Sequence, residues 1–277
     1  MWRTCCLAAI LGLFGGLSAI PDPVNPDPET PRPIDAPDTV FMEEMTWMEI
    51  RDAMRAGKDT VILATGGIEQ NGPYLVTGKH QVVLRGTTES IARKLGDALV
   101  APVIPFVPEG DIDPPSMHMK YPGTISLTED TYRALLIDVC GSLRANGFKH
   151  IVVIGDSGGN VEGMKAVVEQ LSTKWKGDKT QIHFVPEYYN YIDVAKFLEE
   201  QGVKQVEEGL HDDYGMEAVM YTVDPNSVRA KERIAAKKFT INGVNLAPVE
   251  NTKKWGKKII EYRTGVAVEA IRKLIPE

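Results

Sequence analysis

Residues 150–160 have the sequence HIVVIGDSGGN, in which an uninterrupted apolar run ends in a glycine-rich turn. An apolar run of this length predicts a strand that is covered on both faces. A helical pattern follows directly over residues 161–175. Strand, turn and helix in this order are typical of a parallel α/β fold, in which functional loops leave the carboxyl ends of the strands.

The same alternation continues on both sides of this segment. Further strands are predicted at residues 60–64, 99–107 and 181–185, and further helices at residues 46–56, 87–95, 128–146, 192–201 and 251–274. Strands that alternate with helices predict a three-layer α/β/α sandwich with a mainly parallel sheet. Residues 40–277 are numerous enough to form one such domain.

The amino terminus has a different composition from the rest of the chain. Arg3 precedes an apolar stretch that ends near the small residue Ala19. This pattern predicts a secretory signal peptide over residues 1–19, and hence a periplasmic or secreted protein with no membrane span after cleavage. An uncleaved anchor is the alternative, but it needs about 20 apolar residues, and this stretch is shorter. Residues 20–39 are rich in proline, which predicts an extended linker.

The net charge and the cysteine content limit the possible binding partners and disulfide bonds. The formal net charge is −7, which argues against nucleic acid as a partner. Two of the three cysteines lie within the predicted signal peptide, so the exported chain could form no internal disulfide. Cys140, in a helical pattern, is expected to be an apolar core residue.

Three segments carry most of the candidate chemistry. Residues 67–75 have the sequence GIEQNGPYL and lead to Lys79 and His80, residues 121–127 are YPGTISL, and residues 155–160 form the glycine-rich turn. In this order and spacing the segments resemble the creatininase family of creatinine amidohydrolases. The resemblance implies a creatininase-like fold, a small-molecule substrate and a homo-oligomer.

The resemblance also implies a set of metal ligands, with some residues exchanged. Glu69 matches a ligand Glu of the family, whereas Asn71 and His80 stand where the family has His and Asp, and Ser157 replaces a later His. We therefore assign Glu69, His80 and Asp156 to a single divalent metal, zinc or manganese. Two metals are not expected, because an imidazole replaces the bridging carboxylate. The alternative is a metal-free polar pocket in which His80 pairs with Glu69.

Other polar residues are predicted to act in catalysis or substrate binding next to the metal. His118 precedes the second segment, and His211 and Glu217 belong to a later segment in which the family often has a His and a ligand Glu. The predicted catalytic residues are His118, His211 and Glu217. The predicted substrate-binding residues are Asn71, Tyr121, Ser157, Gly158 and Asn160.

The leading functional hypothesis is metal-assisted hydrolysis of a C–N bond in a small cyclic amide or amidine. A metal-free small-molecule binding protein on the same fold is one alternative. A serine hydrolase is another, because residues 155–159 satisfy Gly-x-Ser-x-Gly between a strand and a helix, with Ser157 as nucleophile and His211 as a possible base.

Overall fold

The computed structural model describes residues 26–276, so the predicted signal peptide and the first residues of the predicted linker lie outside the described residues. The chain divides into two units at Asp35. Residues 26–35 contain no helix or strand, and Thr30 N–H donates a hydrogen bond to the Asp27 carbonyl there. In the described range, no helix is long and apolar enough to cross a bilayer.

The second unit, Ala36–Glu277, contains the helices and strands of the described chain. The strands are β1 (Thr60–Thr65), β2 (Ala98–Val100), β3 (His150–Gly155), β4 (Gln181–Phe184), β5 (Thr240–Ile241) and β6 (Val244–Asn245). The helices are α1 (Trp47–Arg55), α2 (Lys79–Leu95), α3 (Glu129–Ala145), α4 (Val161–Lys174), α5 (Tyr191–Glu200), α6 (Tyr214–Val223), α7 (Ala230–Ala235) and α8 (Val249–Leu274).

Four parallel strands form the main sheet, in the order β2-β1-β3-β4. Val61 and Leu63 of β1 pack into a core that α3 and α4 complete. The alternate residues, Ile62 and Ala64, pack into a second core with α2 and α8. Because successive residues of a strand point to opposite faces, the sheet is covered by helices on both sides. The predicted three-layer α/β/α sandwich is confirmed.

A third core lies beside the sandwich and was not predicted. It joins α5, α6, α7 and the β5–β6 hairpin around buried residues such as Tyr214 and Ile241. These helices are short and the hairpin strands have two residues each. Helix α5 was predicted, at residues 192–201, whereas α6, α7 and the hairpin give little periodicity in the sequence and were not predicted.

Helix α2 begins at Lys79, eight residues before its predicted start at residue 87. Gly86 lies inside the helix. A Cβ atom at Gly86 would lie 2.5 Å from Val223 Cγ2, so glycine allows close packing against the end of α6. The earlier start places Lys79 and His80 in the first turn of the helix.

The strand predicted at residues 99–107 is also shorter than expected. It ends at Val100, and beyond it only single bridges form, from Ile104 to Thr65 and from Val107 to Ser126. Pro102 and Pro105 lack the N–H that a continuous ladder requires, which explains the interruption.

Candidate active site

Two loops leave the sheet at the same edge. Thr65 of β1 pairs in register with Gly155 of β3, so residues 66–78 and residues 156–160 start side by side at the carboxyl ends of these strands. The Asp156 N–H donates a hydrogen bond to the Thr65 carbonyl over 3.0 Å and joins the two loops. The sheet edge therefore brings the first and third motifs of the sequence together.

Glu69 lies at the centre of the site and is only 2% exposed. Its Oε1 atom is 3.0 Å from Lys79 Nζ, 2.8 Å from His80 Nε2 and 3.0 Å from His211 Nε2. Its Oε2 atom is 3.3 Å from His118 Nε2. Burial opposes ionisation, but the hydrogen bonds from His211 and His80 and the charge of Lys79 outweigh it and hold the pKa of Glu69 far below its usual range. Glu69 is therefore a carboxylate.

His80 lies between two carboxylates. Its Nε2 atom is 2.8 Å from Glu69 Oε1, and its Nδ1 atom is 2.8 Å from Asp156 Oδ2. Burial lowers the pKa of His80, but the hydrogen bonds to Asp156 and Glu69 raise it by more. The net effect is a pKa above the ordinary value. An imidazolium donates from both nitrogens, which matches these two contacts.

Asp156 is fully buried and is held from three sides. Arg263 Nη2 donates to its Oδ1 over 2.7 Å, and the Tyr191 hydroxyl donates to its Oδ2 over 2.8 Å, beside His80. The Arg263 guanidinium also lies over the Tyr188 and Tyr191 rings. Burial would raise the pKa of Asp156, but Arg263 and His80 lower it. A continuous chain of charges thus runs from Arg263 through Asp156 and His80 to Glu69.

Two groups of side chains have the geometry of a metal site. The outer triad consists of Glu69, His118 and His211, and the inner triad consists of Glu69, His80 and Glu109. In each triad the candidate ligand atoms lie within 4.8 Å of one another. Of the three ligands predicted from the sequence, Glu69 belongs to both triads, His80 to the inner triad, and Asp156 to neither.

The outer triad fits a divalent metal better than the predicted set does. Two imidazoles and one carboxylate form a ligand set used by open catalytic zinc sites. Burial lowers the pKa of His118, so this ring is neutral at pH 7 and offers a lone pair, and the His211 side chain is 45% exposed at the cavity. His80 and Asp156, by contrast, already use their nitrogens and oxygens on each other and on Glu69, Arg263 and Tyr191. In this structure His80 and Asp156 position Glu69, and their role as metal ligands stays a prediction.

A cavity of about 610 Å³ opens above Glu69. Ser157, Gly158 and Glu109 belong to its lining, together with Tyr189 and other residues. Glu109 is 4% exposed, and burial together with the negative charge of Glu69 raises its pKa to about 8. Its carboxyl group therefore carries a proton at neutral pH and can transfer one.

Glu109 was not predicted as a site residue. The only signal was an acidic residue just after the broken strand at residues 98–107, where parallel sheets place functional groups. Nothing in the pattern showed that Glu109 would lie beside Glu69, 40 positions earlier in the chain.

Comparison with known proteins agrees with this fold. Residues 43–271 match the profile of the creatininase family, described as creatinine amidohydrolase. The chain belongs to the creatininase family. The crystal structure of a creatinine amidohydrolase has a TM-score of 0.63 at 19% identity, over 87% of this chain and 100% of that one. Another solved creatininase structure is described as a zinc–zinc form. At this identity the similarity establishes the fold.

Curated relatives of this creatininase-family chain differ in activity. It is 25% identical over 133 residues to the creatinine amidohydrolase of Pseudomonas putida, covering 48% of this chain and 49% of that protein. It is 23% identical over 125 residues to the 3-dehydro-scyllo-inosose hydrolase of Thermotoga maritima, covering 45% of this chain and 38% of that protein. The alignments thus span less than half of these relatives.

The predicted substrate-binding residues of the creatininase-family site divide into two groups. Ser157 and Gly158 line the cavity. Asn71 donates to the carbonyls of Glu69 and Val76, and Asn160 donates to Thr65 Oγ1 and the Gly66 carbonyl, so both amides fix loop backbone. Tyr121 is 53% exposed and lies outside the cavity lining. Asn71 and Asn160 thus hold loop backbone in this structure, and substrate binding by these residues and by Tyr121 stays a prediction.

Glu217 forms a buried ion pair in this structure, and its catalytic role stays a prediction. Its carboxylate is completely buried and accepts a hydrogen bond from Arg233 Nη1 over 2.6 Å. It does not line the cavity, although its neighbour Asp212 does. Burial and the charge of Glu217 raise the pKa of Asp212 well above its ordinary value. The Glu217–Arg233 ion pair therefore supports α6 and α7 from behind the site.

Proposed function

We propose that this creatininase-family protein hydrolyses a C–N bond of a small cyclic amide or amidine with the help of one divalent metal, zinc or manganese, held by Glu69, His118 and His211. The observation that carries the proposal is the convergence of these three side chains on the floor of the cavity. When bound, such a metal supplies Lewis acidity toward a carbonyl oxygen and toward water.

The other side chains of the site either transfer a proton or hold Glu69 in position. Glu109 carries a proton at neutral pH, which it can deliver to the nitrogen that leaves when the C–N bond breaks. His80, held by Asp156, fixes the Glu69 carboxylate in one orientation. A cavity of about 610 Å³ is of the size that encloses a small molecule.

The proposal is tested by an activity screen against cyclic amides and amidines, including creatinine, hydantoin and small lactams. Untagged protein is assayed as purified, after chelation, and after addition of zinc or manganese. We expect hydrolysis that chelation abolishes and metal restores. His118→Ala and His211→Ala should lose it, whereas His150→Ala, at the opposite end of β3, should keep it. Hydrolysis that survives chelation would contradict the metal mechanism.

One observation favours a second candidate, a metal-free binding protein. Lys79 and His80 already supply positive charge to Glu69, so the site is electrically compensated without any metal. In that case a ligand would bind the chelated protein as tightly as the untreated one, with no turnover. A serine hydrolase has less support, because in the described chain Ser157 forms no hydrogen bond with a histidine.

We further propose that the protein is exported and works as a homo-oligomer, on the grounds given by the sequence. Amino-terminal sequencing of exported protein should begin near residue 20, and light scattering should give more than one subunit per particle. Recovery of Met1 from exported protein would contradict cleavage of a signal peptide.

A further inference from the structure

We infer that the ammonium group of Lys79 is a built-in cation that takes the place of a second metal ion at the inner triad of Glu69, His80 and Glu109. The inference rests on the proposed function in one respect, namely that the outer triad is the site that binds metal. It assigns to Lys79 the role of setting how many metal ions the centre holds.

The first support is the position of the lysine. Lys79 Nζ lies 3.0 Å from Glu69 Oε1, and the residue is only 4% exposed. Lysine is almost never buried to this degree without a partner. Within the described chain, Glu69 is the only carboxylate within ion-pair distance of Lys79. The ammonium is therefore paired directly with Glu69.

The second support is that the inner triad otherwise has the geometry of a metal site. Its three members are all buried, and their ligand atoms lie within 4.8 Å of one another. Once metal binding has displaced the protons of Glu109 and His80, two carboxylates and an imidazole are suitable ligands for zinc or manganese. Lys79 shares with this triad its central oxygen donor, Glu69 Oε1. A divalent cation at the inner triad would therefore face an ammonium group across a single oxygen atom.

The third support is the distribution of charge in the surroundings. Arg263 already neutralises Asp156, the other carboxylate in contact with His80. Lys79 adds a permanent positive charge to Glu69, beside the one that His80 supplies while it is protonated. Two like charges that compete for one oxygen in a buried site, where water screens little, exclude each other. Lys79 in its observed place is thus incompatible with tight metal binding by the inner triad.

His211 and Lys79 both lie 3.0 Å from Glu69 Oε1, but the outer triad also has the second oxygen of Glu69 available as a ligand. His118 approaches Oε2, the oxygen that Lys79 does not contact. The expected centre holds one metal at the outer triad and one ammonium at the inner triad. A zinc–zinc form is described for a solved structure of another family member.

The test counts bound metal in the wild type and in Lys79→Met, by equilibrium dialysis against zinc and against manganese followed by mass spectrometry. We expect about one equivalent in the wild type and about two in Lys79→Met, by ligand count. Lys79→Arg keeps the charge and should stay at the wild-type value. Lys94→Met, which removes an exposed lysine of the same helix, is the matched control and should also stay there.

Further variants show where the second ion binds and control for loss of folding in Lys79→Met. In Lys79→Met combined with Glu109→Gln, the added equivalent should disappear, because the inner triad has lost a ligand. Lys79→Gln serves as a second neutral variant if Lys79→Met melts at a much lower temperature than the wild type.

Two results would overturn the inference. These are a second equivalent already present in the wild type, and neutral Lys79 variants whose metal content and affinity do not change. If the wild type binds no metal but Lys79→Met binds one ion that requires Glu109, the role of Lys79 stands and the outer-triad proposal fails. If His118→Ala removes the metal of the wild type while Lys79→Met adds none, the outer triad stands and the inference about Lys79 fails.

Discussion

Arg263 donates a hydrogen bond to Asp156 over 2.7 Å, and both side chains are almost completely buried. The two residues are 107 positions apart in the chain, so the contact ties the last helix, α8, to the turn that follows β3. Through His80, the same carboxylate orients Glu69. The long-range ion pair therefore fixes the position of Asp156, and through His80 that of Glu69.

Arg263→Met should destabilise the protein by about 3–5 kcal/mol, because it leaves the buried carboxylate of Asp156 without its main counter-charge. Urea unfolding monitored by circular dichroism measures the change. Arg93→Met, which removes the exposed ion pairs of Arg93 with Asp38 and Glu89, is the control and should have a far smaller effect. Equal effects of the two substitutions would contradict a special role for the Arg263–Asp156 pair.

Glu109 should make folding stability depend on pH. Burial and Glu69 raise its pKa to about 8 in the folded protein, whereas the ordinary value is 4.5. Between these values the folded protein holds a proton that the unfolded chain has lost, so the contribution of Glu109 is fully present below 4.5 and falls as pH rises toward 8. The slope is at most about 1.4 kcal/mol per pH unit.

Glu109→Gln should remove this part of the pH dependence, because an amide does not titrate. Urea unfolding of both proteins at several pH values from 5 to 8 gives the difference in stability. We expect the free energy of unfolding of the variant to increase relative to that of the wild type as pH rises. A constant difference over this range would show that Glu109 titrates at its ordinary pKa.

Ser157→Ala should keep hydrolytic activity within about tenfold of the wild type, because no covalent step depends on the hydroxyl. Within the described chain no histidine is bonded to Ser157, although the residue lines the cavity. Activity is measured on whichever substrate the screen identifies, and labelling by a fluorophosphonate is tested in parallel. Loss of several orders of magnitude together with labelling would support the serine hydrolase instead.

The framework of the fold could be predicted because its strands and long helices have strong local patterns. The run at residues 150–154 predicted β3, and the helix predicted at residues 46–56 forms as α1, which begins with a capping box between Thr46 and Glu49. The short elements α6, α7, β5 and β6 could not be predicted, because tertiary packing rather than local pattern stabilises them.

The site was only partly predictable for a related reason. The loops that carry Glu69 and Ser157 follow strands and could be recognised by motif, and His118 and His211 were identified as site residues. Lys79, Glu109 and Arg263 look like ordinary charged residues in the sequence. Their roles depend on burial and on contacts between distant segments, which no local pattern encodes.

The number of metal ions bound per chain tests the central claim most directly. Zinc and manganese content is measured after equilibrium dialysis for the wild type, Glu69→Gln, His118→Ala and His211→Ala, with His150→Ala as control. We predict about one metal ion per chain in the wild type and in the control. The metal affinity of Glu69→Gln, His118→Ala and His211→Ala should each be at least about tenfold weaker, because each substitution removes one of about three protein ligands. Absence of metal from the wild type, or unchanged affinity in a protein lacking both His118 and His211, would contradict the proposed centre.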